Sequence, residues 1–193
     1  MTMPYVLPRT GELGARVPVI VTSAGVTYPD PVQAAACRDL DGVLWEVREG
    51  TPIGPPAYLA ELHPARQREA MEGLLCAGCC GPADRGPDGM LWVLPLLGAG
   101  PETCWEGMHA AIPPMCAACA ELAPTVCPVL RDGHVRLRVR EAETIGVRGT
   151  LHPRPGMPGP PDPDALVLYD SPDLRFVVAR QAVRELCQVT VTR

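Results

Sequence analysis

The stretch Cys76-Ala77-Gly78-Cys79, with its counterpart Cys116-Ala117-Ala118-Cys119, decides the local fold of this chain. A two-residue spacer lets both cysteines of a tight turn place their thiolates on one metal ion. Together the two pairs supply the four sulfurs of a closed tetrahedral site. The sequence therefore predicts structural Zn²⁺ at Cys76, Cys79, Cys116 and Cys119. The alternatives are four reduced, buried thiols or one redox-active pair.

The segments around the two pairs favour a compact metal-binding module. A helix is predicted to begin at Pro64, which suits the first helical position, and to lead into the first pair. Asp88-Gly89 is a turn signal between the pairs, and the second pair opens a helix that runs to Val126. This order of knuckle, hairpin and helix resembles a treble-clef zinc finger over residues 74–127. The resemblance implies zinc but no single function, because treble clefs serve nucleases, ribosomal proteins and protein-binding modules alike.

The remaining sequence predicts short strands, one linker and one further helix. Strands are expected at residues 17–22, 43–47, 90–94, 134–140, 144–151 and 165–169. The Gly- and Pro-rich segment 98–114 and the proline-rich segment 153–164 are expected to be loops. Ser171-Pro172-Asp173 is typical of a helix start, so a C-terminal helix is predicted to about Leu186.

The predicted fold class is therefore α+β: a treble-clef-like zinc module packed with short antiparallel strands and a C-terminal helix. Three segments are distinguished, namely an N-terminal β-rich segment (1–61), a zinc-binding module (62–130) and C-terminal strands plus helix (131–193). A chain of 193 residues fits one compact domain that contains all three.

Composition excludes several kinds of chemistry. All 17 basic residues are arginine, so a Walker A phosphate loop and a Schiff-base lysine are excluded. The chain also lacks asparagine and with it any N-glycosylation site. No apolar run reaches the ~18 residues of a membrane span. We therefore expect a cytoplasmic protein without a membrane partner, in which nine cysteines are thiols or metal ligands.

Three arginines alternate with apolar residues along the predicted strand 134–140: Arg136, Arg138 and Arg140. Such a row could hold phosphates or an acidic peptide through bidentate hydrogen bonds. The alternative is a solvated sheet face whose charge is balanced by Glu141 and Glu143. The net charge of −5 gives no global electrostatic case for nucleic-acid binding.

No catalytic arrangement emerges from the sequence. Its four histidines are scattered, and none has a carboxylate partner at helical spacing. The zinc-deaminase signature is absent because its two halves would overlap at Cys119 in the wrong order. Catalytic residues therefore stay unknown.

The other five cysteines are expected to be small buried hydrophobes: Cys37, Cys80, Cys104, Cys127 and Cys187. Alternatively, Cys80 could replace Cys79 as a metal ligand. Cys104 and Cys127 could also form a second metal site together with His109.

A longer string resembles a group of actinobacterial proteins of unknown function. It runs from His63-Pro64-x-Arg66-Gln67-Arg68 through the first cysteine pair, and continues with Pro114-x-Cys116-x-x-Cys119 and Cys127-Pro128. The resemblance implies an intracellular protein and no particular activity. The function expected from the sequence is an accessory or regulatory module that binds a macromolecular partner, protein or nucleic acid. The alternative is a metal-dependent enzyme with its site in a cleft beside the zinc module.

Overall fold

The protein is mixed α+β and is described from a computed structural model that covers residues 4–96 and 103–192. The helices within these ranges are α1 (Pro31–Ala36), α2 (Pro64–Glu72), α3 (Ala117–Val126) and α4 (Pro128–Arg131). The strands are β1 (Ile20–Thr22), β2 (Gly25–Thr27), β3 (Leu44–Trp45), β4 (Arg85–Gly86), β5 (Gly89–Pro95), β6 (Met108–Ala110), β7 (His134–Leu151), β8 (Asp162–Leu168) and β9 (Val177–Thr192). Short 3₁₀ turns lie at Thr10–Glu12 and Leu174–Phe176.

A long antiparallel pair of strands forms the centre of the main sheet. β7 and β9 pair from Arg136 opposite Thr192 to Leu151 opposite Val177. On its edge away from β9, β7 pairs with β5 along its first half and with β8 along its second half. On its edge away from β7, β9 pairs with β3 and then with β6. β1 and β2 form a separate hairpin. Strands from all three sequence segments thus pair within one sheet.

The predicted C-terminal helix is wrong. Leu174–Phe176 form only a 3₁₀ turn, and the chain then continues as β9 to Thr192. Ser171 does accept a local hydrogen bond, from the backbone N–H of Asp173. The β-branched residues that follow prefer an extended backbone, and pairing with β7 decides the outcome.

The predicted break between residues 140 and 144 is also wrong. β7 runs unbroken from His134 to Leu151, so its second half continues the first and does not pair with it. Residues Glu141, Ala142 and Glu143 contain no turn former, and each of them has a partner on β9. The strand predicted at 17–22 is shorter and begins at Ile20. The strand predicted at 43–47 is reduced to Leu44–Trp45.

The predicted strand at residues 90–94 is confirmed, and a strand occupies part of each predicted loop. The 89–95 strand forms, and the turn before it requires Gly89, whose φ is +111° and where a Cβ would lie 2.4 Å from the Val139 carbonyl oxygen. Within the segment 98–114, residues 98–102 lie outside the described ranges, and Met108–Ala110 form the strand β6 and not a loop. The linker 153–164 is irregular up to Asp162, where β8 begins.

Helix α2 begins as predicted and is fastened to β9 by a buried glutamine. Pro64 occupies the first turn, and the His63 side chain accepts a hydrogen bond from the Arg66 N–H. The Gln67 side chain is fully buried. Its amide donates to the carbonyl of Ala182 at 2.9 Å and accepts from the Ala182 N–H at 2.9 Å. These two bonds join α2, in the segment 62–130 that was predicted to bind zinc, to β9 in the C-terminal segment.

The sheet carries apolar cores on both faces. On one face Trp92 and Leu137 pack with Leu186 of β9. On the other face Leu91 and Val93 of β5 pack under α3, α4 and the first cysteine pair. This second core positions the four cysteines, since Cys76 and Ala120 are themselves members of it.

Candidate metal centre

The first cysteine pair lies in a tight knuckle between α2 and the β4–β5 hairpin. The N–H of Cys76 donates to the carbonyl of Gly81 at 2.7 Å, and the N–H of Cys80 donates back to the carbonyl of Cys76 at 2.8 Å. Cys80 has a φ of +60°, which turns the chain after Cys79. The loop is thus closed by its own backbone, and its two predicted ligands face the same side.

The second pair lies at the start of α3. Cys116 is the N-cap residue, and its sulfur accepts a hydrogen bond from the N–H of Cys119 at 3.4 Å. Helix N-termini favour negative charge because their first N–H groups have no partner within the helix. The start of α3 therefore places a backbone N–H donor on the Cys116 sulfur, which suits a sulfur that ligates a metal ion.

The structure brings the four predicted ligands together. The sulfurs of Cys76, Cys79, Cys116 and Cys119 all lie within 4.8 Å of one another, and Cys79 and Cys116 are 3.8 Å apart. A tetrahedral ion with Zn–S bonds of ~2.3 Å would separate its sulfurs by about 3.8 Å. A disulfide would need about 2.05 Å, and all four cysteines are free. The four cysteines fit a metal ion.

Electrostatics favours a cation at this position. Burial raises the pKa of Cys119, and hydrogen bonding to Cys116 and the charge of Cys76 raise it further. Without a cation Cys119 is therefore driven toward its neutral thiol. A divalent ion would reverse that preference by binding the thiolates directly.

Close packing around Gly78 leaves no spare room at the cluster. A Cβ on Gly78 would lie 2.8 Å from the Cys119 sulfur and 2.9 Å from its Cβ. The Gly78 N–H also donates to the sulfur of Cys76 at 3.4 Å. Gly78 therefore lets the two cysteine pairs approach each other.

Two distant parts of the chain form backbone hydrogen bonds with the knuckle. The N–H groups of Tyr5 and Val6 donate to the carbonyls of Gly78 and Ala77, at 3.0 and 3.2 Å. The N–H of Ala77 donates to the carbonyl of Pro114 at 2.9 Å. The N-terminal segment was not expected from the sequence to take part in the site, because nothing in Pro4–Leu7 signals backbone pairing with a loop about 70 residues away.

The remaining cysteines do not join the cluster. Among the described residues, the four-cysteine group is the only set of three or more His, Cys, Asp or Glu side chains close enough to share a metal ion. Cys80 points to a different environment, where its thiol lies beside the Tyr5 hydroxyl that donates to Glu69. The second site suggested for Cys104, His109 and Cys127 is not assembled in these ranges. The expectation that the other five cysteines are buried is wrong, because Cys104 is exposed and four are intermediate in exposure: Cys37, Cys80, Cys127 and Cys187.

The arginine row is ion-paired to the segment 62–130, the predicted metal module. The alternation of β7 is confirmed, since Val135, Leu137 and Val139 are buried on the opposite face. Arg136 pairs with Glu121 of α3 at 2.6 Å. Arg138 pairs with Asp84, and Arg140 pairs with Asp88, on either side of β4. The balancing carboxylates thus come from the metal module and not from Glu141 and Glu143. Whether the row also binds an anionic partner stays a prediction.

A cavity of about 550 Å³ lies beside the cluster. Its lining is mostly apolar and includes Gly78, Cys119 and the exposed side of α3 at Leu122. Its polar lining comes from Glu61 and from the sheet: Arg148, Asp164 and Gln181. The sequence did not predict this polar group, because residue Gln181 was expected in a C-terminal helix and not on a strand beside Arg148.

Comparisons with known proteins add no family to this description. Within the described residues, no helix is both long enough and apolar enough to span a membrane. No protein-family model, curated protein or solved structure matches the chain. The resemblance to actinobacterial proteins stays a prediction, and the candidate site rests on the cysteine geometry alone.

Proposed function

We propose that the four cysteines hold a structural Zn²⁺ ion in a treble-clef-like module. The observation that carries this proposal is the set of four sulfurs within 4.8 Å, on a knuckle and at a helix start separated by a β-hairpin. Cysteine-only ligation with tetrahedral spacing is the pattern of closed zinc sites. Such an ion supplies local folding energy and no chemistry, since it has no open position for a substrate.

We further propose that the protein acts as an accessory module that binds a macromolecular partner, in a reducing compartment such as the cytoplasm. Nine free thiols support that compartment. A protein partner is favoured over nucleic acid for two reasons. The net charge is −5, and the three arginines of the row already have carboxylate partners.

Metal analysis and X-ray absorption of the purified protein test the zinc proposal. We expect one Zn²⁺ per chain, with four sulfurs at ~2.3 Å and no nitrogen or oxygen ligand at the ~2.0–2.1 Å that is typical of such ligands. Iron, or no metal in protein purified without chelators, would overturn it. Cys116→Ser should lose the ion, whereas Cys37→Ser, at the end of α1, should keep it.

Mobility shifts with mixed DNA and RNA at low salt test the partner class. We expect no shift even at low ionic strength, where phosphate contacts are strongest. A shift that weakens steeply with added salt and is reduced in Arg136→Gln would identify nucleic acid as the partner and would assign the arginine row to it.

A second candidate is a metal-dependent enzyme with its site in the cleft beside the metal module. The cavity between the cysteine cluster and the sheet is the specific observation in its favour. This candidate requires an open coordination position. An oxygen ligand in the absorption spectrum would support it, and four sulfurs alone would exclude catalysis by this ion.

A further inference from the structure

The cavity beside the cluster has the size and composition of a small-molecule site. Its volume of about 550 Å³ falls within the range of roughly 300–1,000 Å³ found for ligand pockets. Val6, Leu62 and Ile112 contribute to a predominantly apolar wall drawn from separate parts of the chain. An apolar wall with a few grouped polar side chains is typical of sites that bind a largely apolar molecule.

Three polar side chains of the lining lie together on the sheet, namely Arg148, Asp164 and Gln181, whereas Tyr58 and Glu61 come from the loop before α2. Arg148 of β7 lies directly opposite Gln181 of β9, so both side chains project from the same face. Arg148 donates to Asp164 at 2.9 Å, and the Asp164 side chain is 63% exposed. An exposed ion pair contributes little to stability, so a ligand carboxylate could displace Asp164 from the Arg148 guanidinium at a small cost in free energy.

Gln181 offers a further hydrogen-bond donor. Within residues 4–96 and 103–192, its side chain forms no hydrogen bond to protein. The amide and the Arg148 guanidinium therefore stand side by side at the cavity. Two adjacent donors, one of them charged, match the two oxygens of a carboxylate.

The surrounding charges also favour a single negative group. A chain of ion pairs connects the polar lining to the interior of the sheet. Its members are Arg16, Arg48, Arg148, Arg180, Glu46, Glu61 and Asp164. Counted over the described residues, this network has four guanidinium groups and three carboxylates, an excess of one positive charge. Asp162 is exposed, bonds to the backbone of Asp164 and lies outside these ion pairs.

We propose that this cavity binds a small molecule with an apolar body and one carboxylate, of the medium-chain fatty-acid class, with Arg148 and Gln181 holding the carboxylate. The apolar body lies against the walls formed by α3, β5 and the N-terminal segment. This proposal does not rest on the identity of the metal, although Cys119 and Gly78 form part of the wall.

Calorimetric titration with matched twelve-carbon probes, each below its micellar concentration, tests the proposal. We expect dodecanoate to bind once per chain, and dodecanol and dodecyltrimethylammonium to bind at least about tenfold more weakly, because charged hydrogen bonds contribute substantially to affinity. Equal affinity for all three probes, a preference for the cation, or no dodecanoate binding would each overturn the proposal.

Two variants localise the binding. Arg148→Gln should weaken dodecanoate about tenfold or more and leave dodecanol unchanged. Arg154→Gln is the matched control, since Arg154 also forms an exposed ion pair, with Asp173, away from the cavity lining. An equal effect of both variants would refute the assignment of Arg148.

Ala123→Phe, which fills the cavity from α3, should abolish binding of dodecanoate and dodecanol alike. Val32→Phe, on the exposed side of α1, is its control. Unchanged dodecanoate binding in Ala123→Phe would refute the cavity as the site. Metal content measured on the same samples separates loss of ligand binding from loss of the zinc module.

Discussion

Replacing Gly78 with alanine tests the geometry of the cluster directly. The new Cβ would lie 2.8 Å from the sulfur of Cys119 and 2.9 Å from its Cβ, so one cysteine pair must move away from the other. Gly78 does not have a positive φ, and alanine can adopt its backbone conformation. The effect is therefore steric and falls on the distance between the two ligand pairs.

The expected loss follows from the cost of crowding a packed site. Overpacking by one carbon typically costs about 1–3 kcal/mol. If the metal-free loop can relax, that cost falls almost entirely on the metal-bound form. The metal affinity should then drop by a factor of roughly 5 to 150. The Cys76 sulfur keeps its hydrogen bond from the backbone of residue 78, so lost bonding does not contribute.

Gly81→Ala is the matched control in the same knuckle. Its Cβ would lie 3.4 Å from the Cys79 sulfur, which is ordinary contact, and its φ is not positive. Competition with a chromophoric zinc chelator measures both affinities. Wild-type affinity in Gly78→Ala, or equal losses in the two variants, would refute the close approach of the two cysteine pairs.

Three further predictions concern stability. Gln67→Leu should lower the free energy of unfolding by about 3 kcal/mol or more, because the backbone groups of Ala111 and Ala182 that bond to Gln67 would lose their partner. Urea denaturation measures the loss against Gln33→Leu on α1, and equal unfolding midpoints would contradict the prediction. Arg184→Met should cost about 2–4 kcal/mol, since its buried guanidinium bonds to carbonyls at the end of α2 and on β7, whereas the exposed Arg140→Met should change stability by less than about 1 kcal/mol. The raised pKa of Cys119 predicts opposite pH responses with and without metal. The metal-free fold binds the thiol proton more tightly than the unfolded chain does, so its stability should fall as pH rises above the ordinary thiol pKa of 9.0. The metal-bound form should instead lose its ion and its stability as pH falls, because protons compete for the thiolates; thermal denaturation from pH 5 to 10 distinguishes the two, and parallel profiles would contradict the argument.

Local signals in the sequence were sufficient where the chain acts locally. The Cys-x-x-Cys spacing predicted which four thiols meet, and Pro64 predicted where α2 begins. The Asp88-Gly89 turn predicted the hairpin that separates the two pairs. The helix start, the hairpin and the form of each single cysteine pair depend on neighbours within a few residues, which is the range over which turn and cap chemistry operates.

Long-range pairing limited the prediction elsewhere. Residues 177–192 follow an acceptable helix start, and only the presence of β7 as a partner makes them a strand. That single error moved Gln181 away from Arg148 and hid the polar side of the cavity. The N-terminal segment was missed for the same reason, since Tyr5 and Val6 reach the knuckle through backbone bonds that carry no side-chain signal.

The Gln67 side chain has a consequence for the outer edge of β9. β3 covers residues Val178 and Ala179 of β9, and β6 covers residues 184–186, which leaves a gap in the outer edge between them. The Gln67 amide donates to and accepts from the backbone of Ala182 within this gap, as a peptide group of a neighbouring strand would. An open edge of this kind is a template on which another chain can add a strand and start an aggregate. The Gln67 side chain on α2 thus satisfies the N–H and the carbonyl of Ala182, so these two groups cannot bond to an added strand.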